Sequence, residues 1–242
     1  MLFASSRIGY FSMTIEALHG YLEQLSLNTP HDKPVVGVSA CLLGRPVRYD
    51  GEHKHEPLVT DQLAKQLTLT EFCPEVGIGM SVPRPPIQVM QIDNALRVVG
   101  VDAPHSDVTD ALHQYAQGAP DNLDGFILKA RSPSCGVGTT PIIDPRGDET
   151  GKTSGAFAHA LRQRFPCAPM ADESTLQSDA QIAQFLLQIY FYRHWRQAPS
   201  LTQVYDWRDT LLTLSNEAAF INILYSNVAL TMFLECLAAH SE

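Results

Sequence analysis

No two cysteines of this chain lie close together. Its five, Cys41, Cys73, Cys135, Cys167 and Cys236, are dispersed and odd in number. That arrangement excludes the C-x-x-C pairs of zinc ribbons and the spacing of ferredoxins, and it speaks against a disulfide framework. No apolar run reaches the roughly 18 residues of a membrane span. The stretch Met1 to Met13 has one early Arg7, an interrupting Gly9 and no apolar centre, which makes it a poor signal peptide. Positive charge is scarce: 17 Lys plus Arg stand against 26 Asp plus Glu, a formal net charge of -9. Such a balance disfavours non-specific grip on a phosphate backbone, transfer RNA included. The expectation is a cytoplasmic protein without a membrane segment, its oligomeric state open. What is present is 45% hydrophobic and 18% charged residues over 242 positions, enough to bury one generous domain with an appendage.

Periodicity divides the chain into three parts. Residues 1–32 read as an N-terminal helical extension, with Ile15, Leu18, Leu22 and Leu25 at helical spacing before the Asn28-Thr29-Pro30 breaker. Residues 33–196 read as an α/β domain, a Rossmann-like, mostly parallel sheet with flanking helices. Its strands are the continuous β-branched run Pro34 to Ser39, a second strand Leu69 to Phe72 and a third, buried one Gly125 to Ala130. Ile87 to Gln91 and Ala95 to Val101 flank Asp93-Asn94 as a hairpin. Leu58 to Leu67, Asp107 to Gln117, Gly155 to Phe165 and Asp179 to Arg196 are helix-patterned, and Cys167 to Met170 reads as a last short strand. Residues 197–242 form a helical appendage too short to bury its own core.

Position gives three of the cysteines weight. Cys41, Cys73 and Cys135 each follow a predicted strand in a loop containing Gly or Pro, and in a parallel sheet the carboxyl ends of the strands converge on one crevice. Three thiolates meeting there hold either a zinc ion or three irons of a [4Fe-4S] cluster, with one coordination position open. The competing reading is buried free thiols, since Cys is among the most buried residue types. Cys167, between Pro166 and Ala168, and Cys236, beside Leu234 and Leu237, read as small core fillers.

The loops around the three cysteines are Val38-Ser39-Ala40-Cys41-Leu42-Leu43-Gly44, Cys73-Pro74-Glu75-Val76-Gly77 running on to Pro83-Arg84-Pro85-Pro86, and Arg131-Ser132-Pro133-Ser134-Cys135-Gly136. Together, from about Lys33 to Glu173, they resemble the thiouracil desulfurase family, once domain of unknown function 523. The resemblance implies a [4Fe-4S] cluster held by Cys41, Cys73 and Cys135, with one iron not ligated by protein that captures the sulfur of a thiolated uracil. It also implies catalytic roles for Glu75 and a serine, Ser132 or Ser134. A soft thiocarbonyl sulfur suits such an iron, and coordination favours attack of water on the ring carbon, with Glu75 as general base. Arg84, held extended between two prolines, is expected to face a pyrimidine oxygen or a phosphate. Arg48 and Tyr49 are further substrate-binding candidates.

Two other readings stand beside a desulfidase acting on a small thiolated pyrimidine. Relatives fused to a second helical domain resemble desulfidases of 4-thiouridine in transfer RNA, and Asp206-Trp207-Arg208 onward faintly resembles the start of that domain. The other is a non-catalytic iron–sulfur or metal/redox sensor using the same cysteines. A zinc hydrolase of a nucleobase lacks its H-x-E and P-C-x-x-C pattern here. Gly147 to Thr153 imitates a phosphate loop but is one residue short between its glycines. His53 and His55 with Glu52 and Glu56 read as a solvated loop.

Overall fold

Continuous aliphatic runs form the centre of the fold because a strand covered on both faces has no polar side to show. The computed structural model describes residues 33–214 and 228–241, together with Leu18, Leu22, Glu23, Leu25 and Leu27. Four strands, β1 (Val35–Ser39), β2 (Thr68–Phe72), β5 (Gly125–Leu128) and β8 (Met170–Asp172), pair in the order β2-β1-β5-β8, every pair parallel. The fold is thus α/β with a parallel sheet between helices. On one face Phe72 meets Phe157 and Phe126 meets Phe165, both from the region of α3 (Ala156–Arg164), and Tyr115 of α2 (Thr109–Gln117) meets Phe157 as well. On the other, Ile189 of α4 (Asp179–Gln197) lies over Gly125. Gly37 in β1 is what lets the aromatic face close: a Cβ there would meet the Phe126 and Phe72 rings at 2.8 and 2.9 Å.

The hairpin expected around Asp93-Asn94 is β3 (Ile87–Ile92) and β4 (Ala95–Gly100), with Asp93 and Asn94 at φ 48 and 64 as a type I′ turn requires. It belongs to a second sheet that the sequence reading missed, in the order β4-β3-β6-β7, where β6 is Thr140–Ile143 and β7 is Glu149–Thr153. The phosphate-loop imitation is therefore strand β7 of a hairpin. Three further expectations are corrected. Leu58 to Leu67 is not a regular helix but two short turns, Leu58–Gln62 and Leu63–Lys65, anchored by buried Val59, Leu63 and Leu67. The last strand is shifted to Met170–Asp172, because Cys167 and Ala168 still belong to the turn that leaves α3.

The third correction concerns Cys167 and Cys236. They are not free core fillers but a disulfide, across a sequence separation of 69. Helices α5 (Leu201–Leu214) and α6 (Val228–Ala239) fold back onto α4, where Trp207 packs on Phe191 with ring centroids 4.7 Å apart. Val204, Trp207, Leu211, Leu230, Phe233, Leu234 and Leu237 thereby enter the same hydrophobic cluster as the sheet. Leu18, Leu22, Leu25 and Leu27 enter it too. The rest of the expected N-terminal helix, and the tail between residues 215 and 227, lie outside the described residues.

Candidate functional site

Strand order places the site. In the order β2-β1-β5-β8 the chain passes from β1 to β2 on one side and returns to β5 on the other, and a crevice opens beyond the carboxyl ends of the strands at such a reversal. Cys41 follows β1 in a tight turn closed by Gly44 at φ 84, its carbonyl accepting from the N–H groups of Gly44 and Lys54. Cys73 directly follows β2 and precedes a one-turn helix, α1 (Pro74–Gly77), with Pro74 at its first position and Glu75 in its first turn. Cys135 ends the loop after β5. All three are free thiols that line one cleft of about 450 Å³.

The Cys135 loop is fastened onto α3. The N–H groups of Ala156 and Ala158 donate to the carbonyls of Pro133 and Ser134 at 3.0 and 3.1 Å, which satisfies helix-start donors that no side chain caps. The Ser132 hydroxyl accepts from the N–H groups of Ser134 and Cys135 at 3.3 and 3.1 Å. Its own proton points to no protein acceptor among the described residues, and Ser132 lines the cleft.

Glu75 is held at both oxygens. Ser134, fully buried, donates to Oε1 at 2.9 Å, and Arg84 donates from Nε to Oε2 at 2.8 Å. The Arg84 guanidinium, itself buried, also reaches the carbonyls of Ser81 and Val47 at 3.1 and 2.9 Å. Arg84 lines the cleft and is at the same time paired with Glu75. Arg48 is paired with Asp50 at 2.9 Å and lies over the exposed Tyr49 ring, so both stand at the rim. His53 and His55 are exposed, as a solvated loop requires.

Sequence reasoning missed Ser39, Lys129 and Glu173. Ser39 accepts from the Lys129 N–H at 2.9 Å, and its hydroxyl pulls the Cys135 thiol down against the burial that raises it. Glu173 pairs with Lys129 and accepts from the Ala130 N–H at 2.7 Å. Only the ends of β5 and β8 lying side by side signal this contact. Burial pushes the Cys41 thiol up to about 11, against the pull of Lys129, and burial raises Cys135 and Cys73 as well. For Cys73 the N–H groups of Val76 and Glu75 pull the other way. Without a cation between them these sulfurs are neutral thiols at neutral pH, so loading a metal would release protons.

An α/β domain with three free thiols at the carboxyl edge of one parallel sheet is the class this geometry defines. The 2-thiouracil desulfurase family model matches residues 36–173, and the chain belongs to that family. The uncharacterized protein YbbK of Bacillus subtilis (strain 168) is 32% identical over 142 residues, which cover 52% of this chain and 88% of that protein. A solved structure of the [4Fe-4S]-dependent thiouracil desulfidase TudS is 32% identical, spanning 60% of this chain and 93% of that one, with a TM-score of 0.47. No helix among the described residues is long and apolar enough to cross a membrane.

Proposed function

We propose that this chain is a [4Fe-4S]-dependent desulfidase that converts a thiolated uracil and water to uracil and sulfide. The observation that carries the reading is the convergence of Cys41, Cys73 and Cys135 in one cleft whose wall also presents Glu75. The donor set fits the cluster: three soft sulfurs, with no further free cysteine among the described residues to close a fourth position. When bound, the cluster would supply an open iron as a soft Lewis acid toward the thiocarbonyl sulfur.

The remaining steps belong to the chain's own groups. Glu75 Oε1 has one lone pair engaged by Ser134, and the other is available to take a proton from the attacking water. Arg84 and Ser134 fix the carboxylate's orientation, so the base is aimed before substrate arrives. The free proton of Ser132 serves an exocyclic carbonyl oxygen of the pyrimidine or the departing sulfur. Four of the cations around the cleft have carboxylate partners, Arg84 with Glu75, Lys129 with Glu173, Arg48 with Asp50 and Arg131 with Glu149. That internal pairing and the small cleft support a small thiolated pyrimidine over a polymer. The catalytic unit on this reading is residues 33–196, with the segments on either side as structural additions.

Iron content after anaerobic reconstitution tests the ligand assignment. The wild type should hold about four irons per chain. Cys41→Ser, Cys73→Ser and Cys135→Ser should each lose most of that iron, because a neutral hydroxyl replaces thiolate poorly. Unchanged iron in Cys135→Ser would remove that residue from the site.

A further inference from the structure

The second group of soft ligands lies at the other edge of the sheet. Cys167 stands just before β8, at the amino end of the parallel strands, whereas the cleft opens at their carboxyl ends. Its disulfide partner Cys236 sits on α6, and His240 follows one turn later at the helix's end. The His240 Nδ1 is 3.5 Å from the Cys167 sulfur and 2.9 Å from the Cys236 carbonyl oxygen. One ligand atom from each of the three residues lies within 4.8 Å of the others.

A disulfide needs no imidazole, yet this one has a ring nitrogen set against it at a metal-site distance. In a zinc tetrahedron, bonds of about 2.3 Å to sulfur and about 2.05 Å to nitrogen give an N···S edge of about 3.6 Å, close to the distance observed. The i, i+4 spacing of Cys236 and His240 puts both on one helix face. Cys167 is buried, Cys236 half-buried and His240 exposed, so the trio has a buried floor and an open side for an ion and a water to enter. The surroundings hold the ligands together without the sulfur bond. Trp195 of α4 donates to the Ser241 hydroxyl at 2.8 Å, and Leu234 and Leu237 of α6 are buried.

We propose that, once the disulfide is reduced, Cys167, Cys236 and His240 bind a divalent soft-metal ion of the Zn²⁺ class, and that disulfide and metal are alternative staples of α6 to the core. A dithiol reductant supplies two electrons and two protons, closing to its own disulfide as the S–S bond opens to two thiols. Metal binding releases both thiol protons, the Nδ1 proton moves to Nε2, and water fills the fourth position. The two sulfurs must part to an edge of about 3.8 Å.

Peptide-resolved alkylation of the cluster-loaded full chain tests this. The protein is reduced anaerobically with a phosphine, which removes the disulfide without leaving a competing thiol, then desalted and treated with iodoacetamide with or without equimolar Zn²⁺. Zinc should slow alkylation of Cys236 by at least about tenfold, with Cys167 protected alongside it. His240→Ala should lose most of that protection. Oxidation of the zinc-loaded chain should release the ion as the disulfide re-forms. Equal alkylation rates with and without zinc in the wild type would overturn the proposal, and that arm needs no variant to fold. Full protection retained in His240→Ala would overturn it as well, by leaving only a thiolate pair.

Discussion

Glu75 is the residue on which the site's geometry turns, because two buried neighbours hold it and neither faces the solvent. The amide of Glu75→Gln keeps its shape but cannot take a proton. Turnover should fall by about 10²–10⁴-fold while iron content stays near wild type; a near-wild-type rate would make Glu75 structural. The same change removes the charge partner of buried Arg84, so the melting temperature should also fall. Ser134→Ala, which deletes only the bond to Oε1, should cost about 1–3 kcal/mol in stability and reduce turnover less than Glu75→Gln does. A stability equal to wild type would show that hydrogen bond to be dispensable. Glu75 and Arg84 were both legible in the sequence as single charged residues in a Pro-rich loop. Their mutual contact was not, since Arg84 is anchored by the Val47 carbonyl, 37 residues away, and no local pattern encodes that distance.

At the scale of elements, the loop carrying Cys135 depends on how closely α3 approaches it. Gly155 stands at the start of α3, and a Cβ there would meet the Ser134 carbonyl carbon at 2.4 Å and the Cys135 nitrogen at 2.8 Å. Those neighbours are backbone and cannot swing away. Gly155→Ala should therefore lower iron content although it touches no sulfur, whereas Gly151→Ala, which meets only the end of Ile142 at 3.8 Å, should leave it unchanged. Iron analysis of the two variants side by side decides, and equal iron would mean that the loop adapts. The strands leading to Cys41 and Cys135 were readable because buried parallel strands are nearly unbroken apolar runs, whereas β2, Thr68–Phe72, is a partly exposed edge strand with Thr and Glu among its residues. Strands β6 and β7 were not, because Thr140-Pro141 and the polar run Glu149 to Thr153 look like loop until a neighbouring strand pairs with them.

For the whole molecule, the described part of the tail belongs to the core through Val204, Trp207, Leu211, Leu230, Phe233, Leu234 and Leu237. Deleting residues from Leu201 onward would expose Phe191 and the rest of the α4 surface that Trp207 and α6 cover. The truncated chain should lose solubility and melt at a lower temperature. Trp207→Ala, a milder change, should cost about 3–5 kcal/mol in denaturant unfolding while turnover below the transition stays near wild type. Wild-type stability in that variant would place the tail outside the core. Apolar periodicity pointed to this packing, since so many apolar residues could not remain solvated. The Cys167 to Cys236 bond escaped it, because pairing follows from where the tail lands and not from spacing.

Sulfide release by the cluster-loaded chain is the measurement closest to the central claim. With 2-thiouracil and 4-thiouracil supplied anaerobically, the wild type should release sulfide and form uracil in equal amounts, and chains lacking Cys41, Cys73 or Cys135 should form neither. A fully loaded cluster that releases no sulfide from either base, or uracil formed at the wild-type rate by Cys135→Ser, would contradict the account.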